Sequence, residues 1–412
     1  MAEIRPFCGI RPREDLASSI AALPYDVYTR EEARKAVADK PLSFLRIDRA
    51  ETQLPEDTDM YSQPVYDCAK ETFQRLMDNG TFIQDQNACF YLYALTLNDR
   101  TQTGLVCCAS IDDYIQNRIK RHENTTDAKE QDRIRHVDTL SAHTGPIFLA
   151  YKAQNEINRI TSAAKESPSL YDFTTEDGVR HQVWKIDAPE DIEKIQSTFS
   201  GINDIYIADG HHRAASAAKV ALKRREEYPD YDGSEEFNYF LCTLFPAEEL
   251  RIFDYNRIIK GLNGHTFEEM LNLIRSGFEI TDMGTEPYHP AHKGEIALYG
   301  QEHWYRLAVC PFLYSDDPVN SLDVSVLQNV VLKPVLGIDN PKSDPRIQFV
   351  GGIRGLQTLK DLVDNEEEGV AFAMYPTSMD ELLAVADAKR LMPPKSTWFE
   401  PKLRSGLFIH QF

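Results

Sequence analysis

The chain has 412 residues, with 45 Lys plus Arg against 65 Asp plus Glu and a formal net charge of −20. That balance excludes a broad surface for nucleic acid or anionic membrane, since both demand a basic face, but it leaves room for a local basic pocket around a small anion. With 42% hydrophobic and 27% charged residues, the composition is that of a globular protein long enough to bury its core without cross-links.

In chain order, "EEARKAVADKP" is helix-like and "LSFLRID" reads as a short strand. Residues 62–79 form an amphipathic pattern closed by Gly80, a C-cap residue. "ACFYLYALTL" and "TGLVCCASIDDY" are apolar runs joined by a polar turn, which predicts a hairpin. A charged segment, 116–143, precedes the strand candidates "GPIFLAYK", "RHQVWKID" and "DIYIA" and then an Ala-rich helix. "FNYFLCTLF" and "LRIFDYNRII", joined by "PAEE", are predicted to pair antiparallel. The texture changes near Leu262, where Asn263 to Thr266 can cap a new helix. Strand–helix alternation follows, with helices at 322–336 and 378–387. The expected fold is α+β, a mixed and largely antiparallel sheet with helices in residues 1–260, followed by an α/β domain in residues 261–412 whose last segment is expected to return to the site.

"IYIADGHHRAASAAKVALKRR", residues 205–225, places a glycine, two histidines and an arginine between a strand pattern and a strong helix former. A helix start leaves about four backbone N–H groups without intrahelical partners and carries partial positive charge, so it attracts anions. Gly210 lets a ligand come close to the backbone. His211, His212 and Arg213 add side-chain donors, and Arg213 can grip two phosphate oxygens. The structural alternative is an ordinary helix start with Asp209 as N-cap, although cationic residues in a first turn oppose the helix dipole. A metal set of Asp209, His211 and His212 ranks lower, because adjacent histidines diverge on a helix.

The segment "RHENTTDAKEQDRIRHVDTL" carries a second constellation. Thr125, Thr126 or Asp127 can cap a helix on which Lys129, Arg133 and His136 share a face. The alternative is a solvated face paired with Glu130, Asp132 and Asp138. Just upstream, Glu123 follows His122, and a carboxylate beside cations can stay ionised and accept a proton from a substrate hydroxyl. Near the end, "PPKST" lacks the glycines of a P-loop, but Lys395 at its tip is a candidate phosphate ligand.

Cysteine usage points to a reducing compartment. The seven cysteines include no C-x-x-C pair, and several lie in apolar runs, a pattern of free buried thiols. The start "MAEIRPFCGI" lacks a signal-peptide pattern, and no apolar run approaches the roughly 20 residues that span a bilayer. A cytoplasmic protein is expected, with no nucleic-acid or membrane partner.

"PFCGIRP", "LPYDVYT", "RHENT", "DGHHR", "FAMYPTS" and "MPPKSTWFEPKLRSG", in this order, resemble the pattern of the domain of unknown function family 1015. "DGHHR" is also similar to the D-G-x-H-R signature of free serine kinases, which are built on a ParB/sulfiredoxin-like fold. That resemblance implies a ParB/sulfiredoxin-like core in which Asp209, Gly210, His212 and Arg213 hold nucleotide phosphates. It implies that His122 and Glu123 are the catalytic pair, with Glu123 taking the serine hydroxyl proton. Sulfiredoxin chemistry is excluded, because His211 stands where its nucleophilic cysteine would be. DNA binding of the ParB kind disagrees with the net charge. The expected activity is phosphoryl transfer from ATP or ADP to free L-serine. Asp209 is expected to hold Mg²⁺ or to orient the turn, His211 is expected to cradle the phosphates with Gly210, His212 and Arg213, and Lys129, Arg133 and Lys395 are further candidates for neutralising the transferred group. The alternatives are a non-catalytic nucleotide-binding regulator and a phosphohydrolase. No pattern sets the oligomeric state.

Overall fold

The computed structural model describes residues 2–125, 127–365 and 369–412. Thr126, one of the candidate caps, lies outside the described residues. The chain divides into two compact units: Met1–Arg121, Thr125–Leu250 and Pro401–Phe412 form the first, and His122–Asn124 with Arg251–Glu400 the second.

The first unit is built on a nine-stranded mixed sheet among the described residues. Its strands are β1 (Ile4–Arg5), β2 (Phe90–Leu97), β3 (Arg100–Ser110), β4 (Ile119–Lys120), β5 (Ile147–Tyr151), β6 (Tyr171–Thr174), β7 (Arg180–Ile186), β8 (Ile205–Asp209) and β9 (Tyr239–Pro246). They lie in the order β4-β8-β5-β9-β3-β2-β7-β6, with β1 also on β3. The predicted hairpin is β2 and β3, paired from Tyr91↔Val106 to Leu97↔Arg100. Two pairings are parallel, β8 with β4 and β9 with β5, and the others antiparallel.

Three helices of this unit matter for the site: α1 (Gln63–Asp78), α2 (Asp127–Leu140) and α3 (His211–Glu227). Ala214, Ala217, Ala218 and Ala221 of α3 belong to the same buried cluster as Ile147, Leu149, Ile205 and Ile207 of the sheet. Their small side chains let the helix axis approach the strands closely. A second cluster gathers Phe73 and Leu76 of α1, Leu140 of α2, Phe44, Phe82 and Ile409. Removing the side chains of such residues costs a few kcal/mol each.

The second unit has a six-stranded sheet of β10 (Tyr255–Lys260), β11 (Phe278–Gly284), β12 (Glu295–Gly300), β13 (His303–Val309), β14 (Ile347–Gly351) and β15 (Gly369–Met374). The order is β11-β13-β12-β15-β10-β14, antiparallel throughout. Helices lie before β11 and after β13, whereas β11, β12 and β13 follow one another with no helix between them. Phe267–Ile274 begins at a capping box of Thr266 and Glu269, and Met379–Asp387 at one of Ser378 and Glu381. Between them, Asp323–Leu327 runs on into a wider turn in which the Lys333 N–H reaches the Gln328 carbonyl.

Two expectations are corrected. "LSFLRID" is not a strand, because Leu45–Asp48 is a helical turn that buries Leu45 and Ile47. "FNYFLCTLF" does not pair with "LRIFDYNRII". Pro246 ends β9, Ala247–Glu249 make a tight turn, and Leu250 is the last residue of this stretch in the first unit. β9 pairs instead with β3 and β5, while Ile252–Phe253 pairs with Trp398–Phe399.

All seven cysteines are free, and no described helix is long and apolar enough to cross a membrane.

Gly406 marks a tight point of the first unit. Its φ is +86°, and a Cβ there would meet the Phe44 ring at 2.5–2.6 Å. Backbone strain and overpacking then add, so Gly406→Ala is expected to cost about 2–4 kcal/mol. Urea denaturation checks this, and an unchanged midpoint contradicts it.

Candidate functional site

The site is built from the strand-to-helix turn. β8 is apolar and β-branched or aromatic, and residues 205–208 are buried. Its pairing with β5 shifts register between Ile207 and Asp209, so the strand ends on an irregularity that frees the chain to turn. Gly210 follows at φ +92° and ψ 29°, a left-handed conformation that favours glycine. It is the N-cap of α3, where Asp209 was the candidate. Its carbonyl accepts the Ala214 N–H at 3.0 Å, and glycine brings no side chain to cover the first-turn amides.

Asp209 has two partners. Its Oδ1 accepts the Gly210 N–H at 2.8 Å, and its Oδ2 accepts Lys402 Nζ at 2.9 Å. Burial opposes ionisation of this carboxyl, yet the Lys402 ammonium holds it well below the usual carboxylate range. Mg²⁺ prefers a near-octahedral set of oxygens and keeps several waters. A carboxylate already carrying an ammonium and an amide proton does not fit that role. In this turn Asp209 is held in an ion pair with Lys402.

The three residues after Gly210 differ. His211 is buried, and that burial pushes its pKa down to about 4, so it is neutral at pH 7. A neutral imidazole still carries one N–H donor. His212 is half-buried, and its carbonyl accepts the Ser216 hydroxyl at 2.8 Å. Arg213 donates from Nη1 to the Pro146 carbonyl at 2.9 Å, and its guanidinium lies 5.9 Å from the Tyr25 ring centre. Among the described residues of this unit, no carboxylate forms an ion pair with it.

The basic stripe of α2 splits. Lys129 is exposed in the first turn, whereas Arg133 and His136 are buried. Arg133 donates from Nε to Asp132 Oδ2 at 2.9 Å and sits 4.0 Å over the Tyr25 ring. Its charge is thus balanced by Asp132. Burial and the Arg133 charge lower the His136 pKa to about 4, and its Nε2 lies 3.2 Å from the Ile47 carbonyl. Glu130 and Asp138 pair across to α3 with Lys219, Lys223 and Arg224 rather than with the stripe.

Arg213, Arg133 and His136 line one small cavity of about 30 Å³, walled also by Tyr25, Asp48, His143, Thr144, Gly145 and Ser405. Lys129 does not line it. Asp48 Oδ1 accepts the Thr144 hydroxyl at 2.8 Å. "LPYDVYT" and "KLRSG" were visible as motif fragments that contain Tyr25, Lys402 and Ser405. Asp48 carried no signal, because its segment read as a strand.

His122, Glu123 and Lys395 belong to the second unit. His122 is buried, with Nε2 at 3.3 Å from Thr397 Oγ1 and its carbonyl accepting the Met392 N–H at 2.8 Å. Glu123 is half-buried. Lys395 is exposed in a left-handed turn at φ +59°, its ammonium 5.6 Å from the Tyr255 ring centre.

No curated protein matches this chain. Among solved structures, a conserved hypothetical protein from Pyrococcus furiosus is similar at 14% identity and a TM-score of 0.36, over 74% of this chain and 94% of that one. A mutant free serine kinase in complex with ADP is similar at 14% identity and a TM-score of 0.35, over 74% and 92%. SbnI with C-terminal truncation from Staphylococcus aureus is similar at 11% identity and a TM-score of 0.39, over 73% and 85%. The profile of the family described as "Protein of unknown function (DUF1015)" matches residues 4–325, more than three quarters of the chain, and the chain belongs to that family.

Proposed function

We propose that this chain is a nucleotide-dependent phosphotransferase that moves a phosphoryl group from ATP or ADP to the hydroxyl of free L-serine. The observation that carries the reading is the start of α3. A 17-residue helix begins at a left-handed glycine, with Arg213 in its first turn and, among the described residues of its unit, no carboxylate in an ion pair with that guanidinium. In a protein of net charge −20, an unpaired arginine beside a helix N-terminus is a seat for phosphate. Phosphoryl transfer asks little covalent chemistry of a protein. It asks for positioning and charge stabilisation, and the turn amides with Arg213 supply both to the donor phosphates. The choice of serine as acceptor and the role of Glu123 as general base rest on the "DGHHR" and "RHENT" resemblance. Lys129 and Lys395 remain candidate phosphate ligands.

A second reading is a nucleotide-binding regulator without catalysis. The Asp209–Lys402 ion pair favours it, because that pair occupies the acidic group assigned to the metal.

Arg213→Ala tests the phosphate seat. A charge-assisted hydrogen bond contributes about 1.5–3 kcal/mol, so nucleotide affinity should fall roughly 10- to 100-fold in titration calorimetry. Arg213→Lys should recover only part, having a point charge but no fork. Unchanged affinity in Arg213→Ala would remove the turn from the binding site.

A further inference from the structure

The cavity that Arg213 lines has in its wall two residues with buried polar atoms that lack partners among the described residues: His143 Nε2, on a residue 7% exposed, and Ser405 Oγ, on one 1% exposed. Leaving such groups unsatisfied is costly, so native structures rarely do it without a bound molecule. The backbone here is pinned. Ser405 exchanges backbone hydrogen bonds with Ala22, and the Gly406 N–H reaches the Thr144 carbonyl at 3.2 Å. Gly145 lies between the polar groups: a Cβ on it would sit 2.9 Å from Ser405 Oγ and 3.2 Å from Arg213 Nη1. The absence of a side chain at residue 145 keeps this space open.

The hydrogen-bond character of His143 follows from a buried chain of groups. Glu236 Oε2 lies 2.6 Å from His410 Nε2, and a carboxylate accepts, so His410 Nε2 carries the proton. His410 Nδ1 lies 3.3 Å from His143 Nδ1. Burial favours the neutral form of both rings. A neutral His410 with its proton on Nε2 accepts at Nδ1, so His143 donates from Nδ1 and keeps a lone pair on Nε2. The cavity therefore offers an acceptor at His143, a guanidinium at Arg213, and a hydroxyl at Ser405. Asp48 in the wall holds its Thr144 hydrogen bond and adds one negative charge.

We propose that this cavity binds one small oxyanion that also carries a hydroxyl, a phosphate group in its hydrogen-phosphate form, with its charged oxygens toward Arg213 and Ser405 and its P–OH donating to His143 Nε2. The size agrees. About 30 Å³ against the roughly 10–15 Å³ that one water needs is room for about two or three water-sized oxygens, as many as the site would set against Arg213, Ser405 and His143, and it excludes a nucleoside. The proposal shares Arg213 with the functional reading above but does not require phosphotransfer.

The ligand chemistry predicts discrimination. Sulfate has the same shape and no proton to give at neutral pH, so His143 Nε2 would face an oxygen acceptor. A site built around a ligand hydroxyl rejects the analogue that lacks it. Titration calorimetry of the full chain with inorganic phosphate, sulfate and ADP tests this. Phosphate should bind at least tenfold more tightly than sulfate. Ser405→Ala and Gly145→Ala should each weaken phosphate roughly tenfold or more, Gly145→Ala by filling the space without needing a left-handed backbone. His143→Phe should erase the preference for phosphate over sulfate. Thermal melts confirm that each variant is folded, and Gly145→Ala serves if His143→Phe is not. Competition between ADP and phosphate would seat a nucleotide phosphate in the cavity, and binding of both together would seat free phosphate there. Either outcome supports the site. Equal affinity for sulfate and phosphate, no phosphate binding, or indifference to Ser405→Ala and Gly145→Ala overturns it. Failure of the kinase reading shows separately, as absent turnover with phosphate binding retained.

Discussion

Glu123→Gln is expected to lower serine-dependent turnover by about 10²–10⁴-fold while leaving nucleotide affinity unchanged, the range that a general base contributes. The substitution keeps size and shape and removes only the ability to take a proton. His122, the preceding residue, is buried and anchored by Met392 and Thr397, so the exchange leaves the local backbone supported. Turnover at several pH values and nucleotide titration on the same preparation separate the possibilities. A parallel fall in affinity would make Glu123 a binding group. Intact turnover would end its assignment as base.

Acid should destabilise the first unit well before its carboxylates protonate. His136 and His211 have pKa values lowered to about 4 and His181 to about 3, burial being the largest cause in each. His181 shows why its ring stays neutral: Arg404 Nε donates to its Nε2 at 3.3 Å, and Tyr93 Oη lies 2.7 Å from Nδ1. All three folded values lie below the unfolded value of about 6.5. Between these limits the unfolded chain binds more protons than the native one. The stabilisation is therefore complete above about pH 6.5 and declines as pH falls, by up to about 1.4 kcal/mol per pH unit for each histidine. Urea midpoints should change little above about pH 6.5 and drop steadily from about pH 6.5 to about pH 5. A flat profile there would contradict the neutral, buried assignment.

The strand, glycine and Ala-rich helix of "DIYIADGHHRAAS" were legible because each step has a local cause: β-branched and aromatic residues, a left-handed position, then strong helix formers. The hairpin of β2 and β3 was legible for the same reason. What was not legible depends on partners far along the chain. Lys402 reaches Asp209 across 193 positions, and nothing near either residue announces the pair. Arg133 looked like a free cation because its helical spacing is visible, whereas its burial over Tyr25 comes from packing. "LSFLRID" has strand-like residues, yet burying Leu45 and Ile47 in a helical turn prevailed, which is tertiary context overriding propensity. "FNYFLCTLF" and "LRIFDYNRII" both became strands and took other partners, since local pattern sets the state of a segment but not its neighbour.

The most direct test of the phosphotransferase reading is ³¹P NMR of the purified protein with Mg²⁺, ATP or ADP, and L-serine, beside a control without serine. The expected result is a new phosphomonoester signal that requires serine and disappears in Arg213→Ala. Nucleotide left intact despite measurable binding, or nucleotide consumed equally without serine, would contradict it.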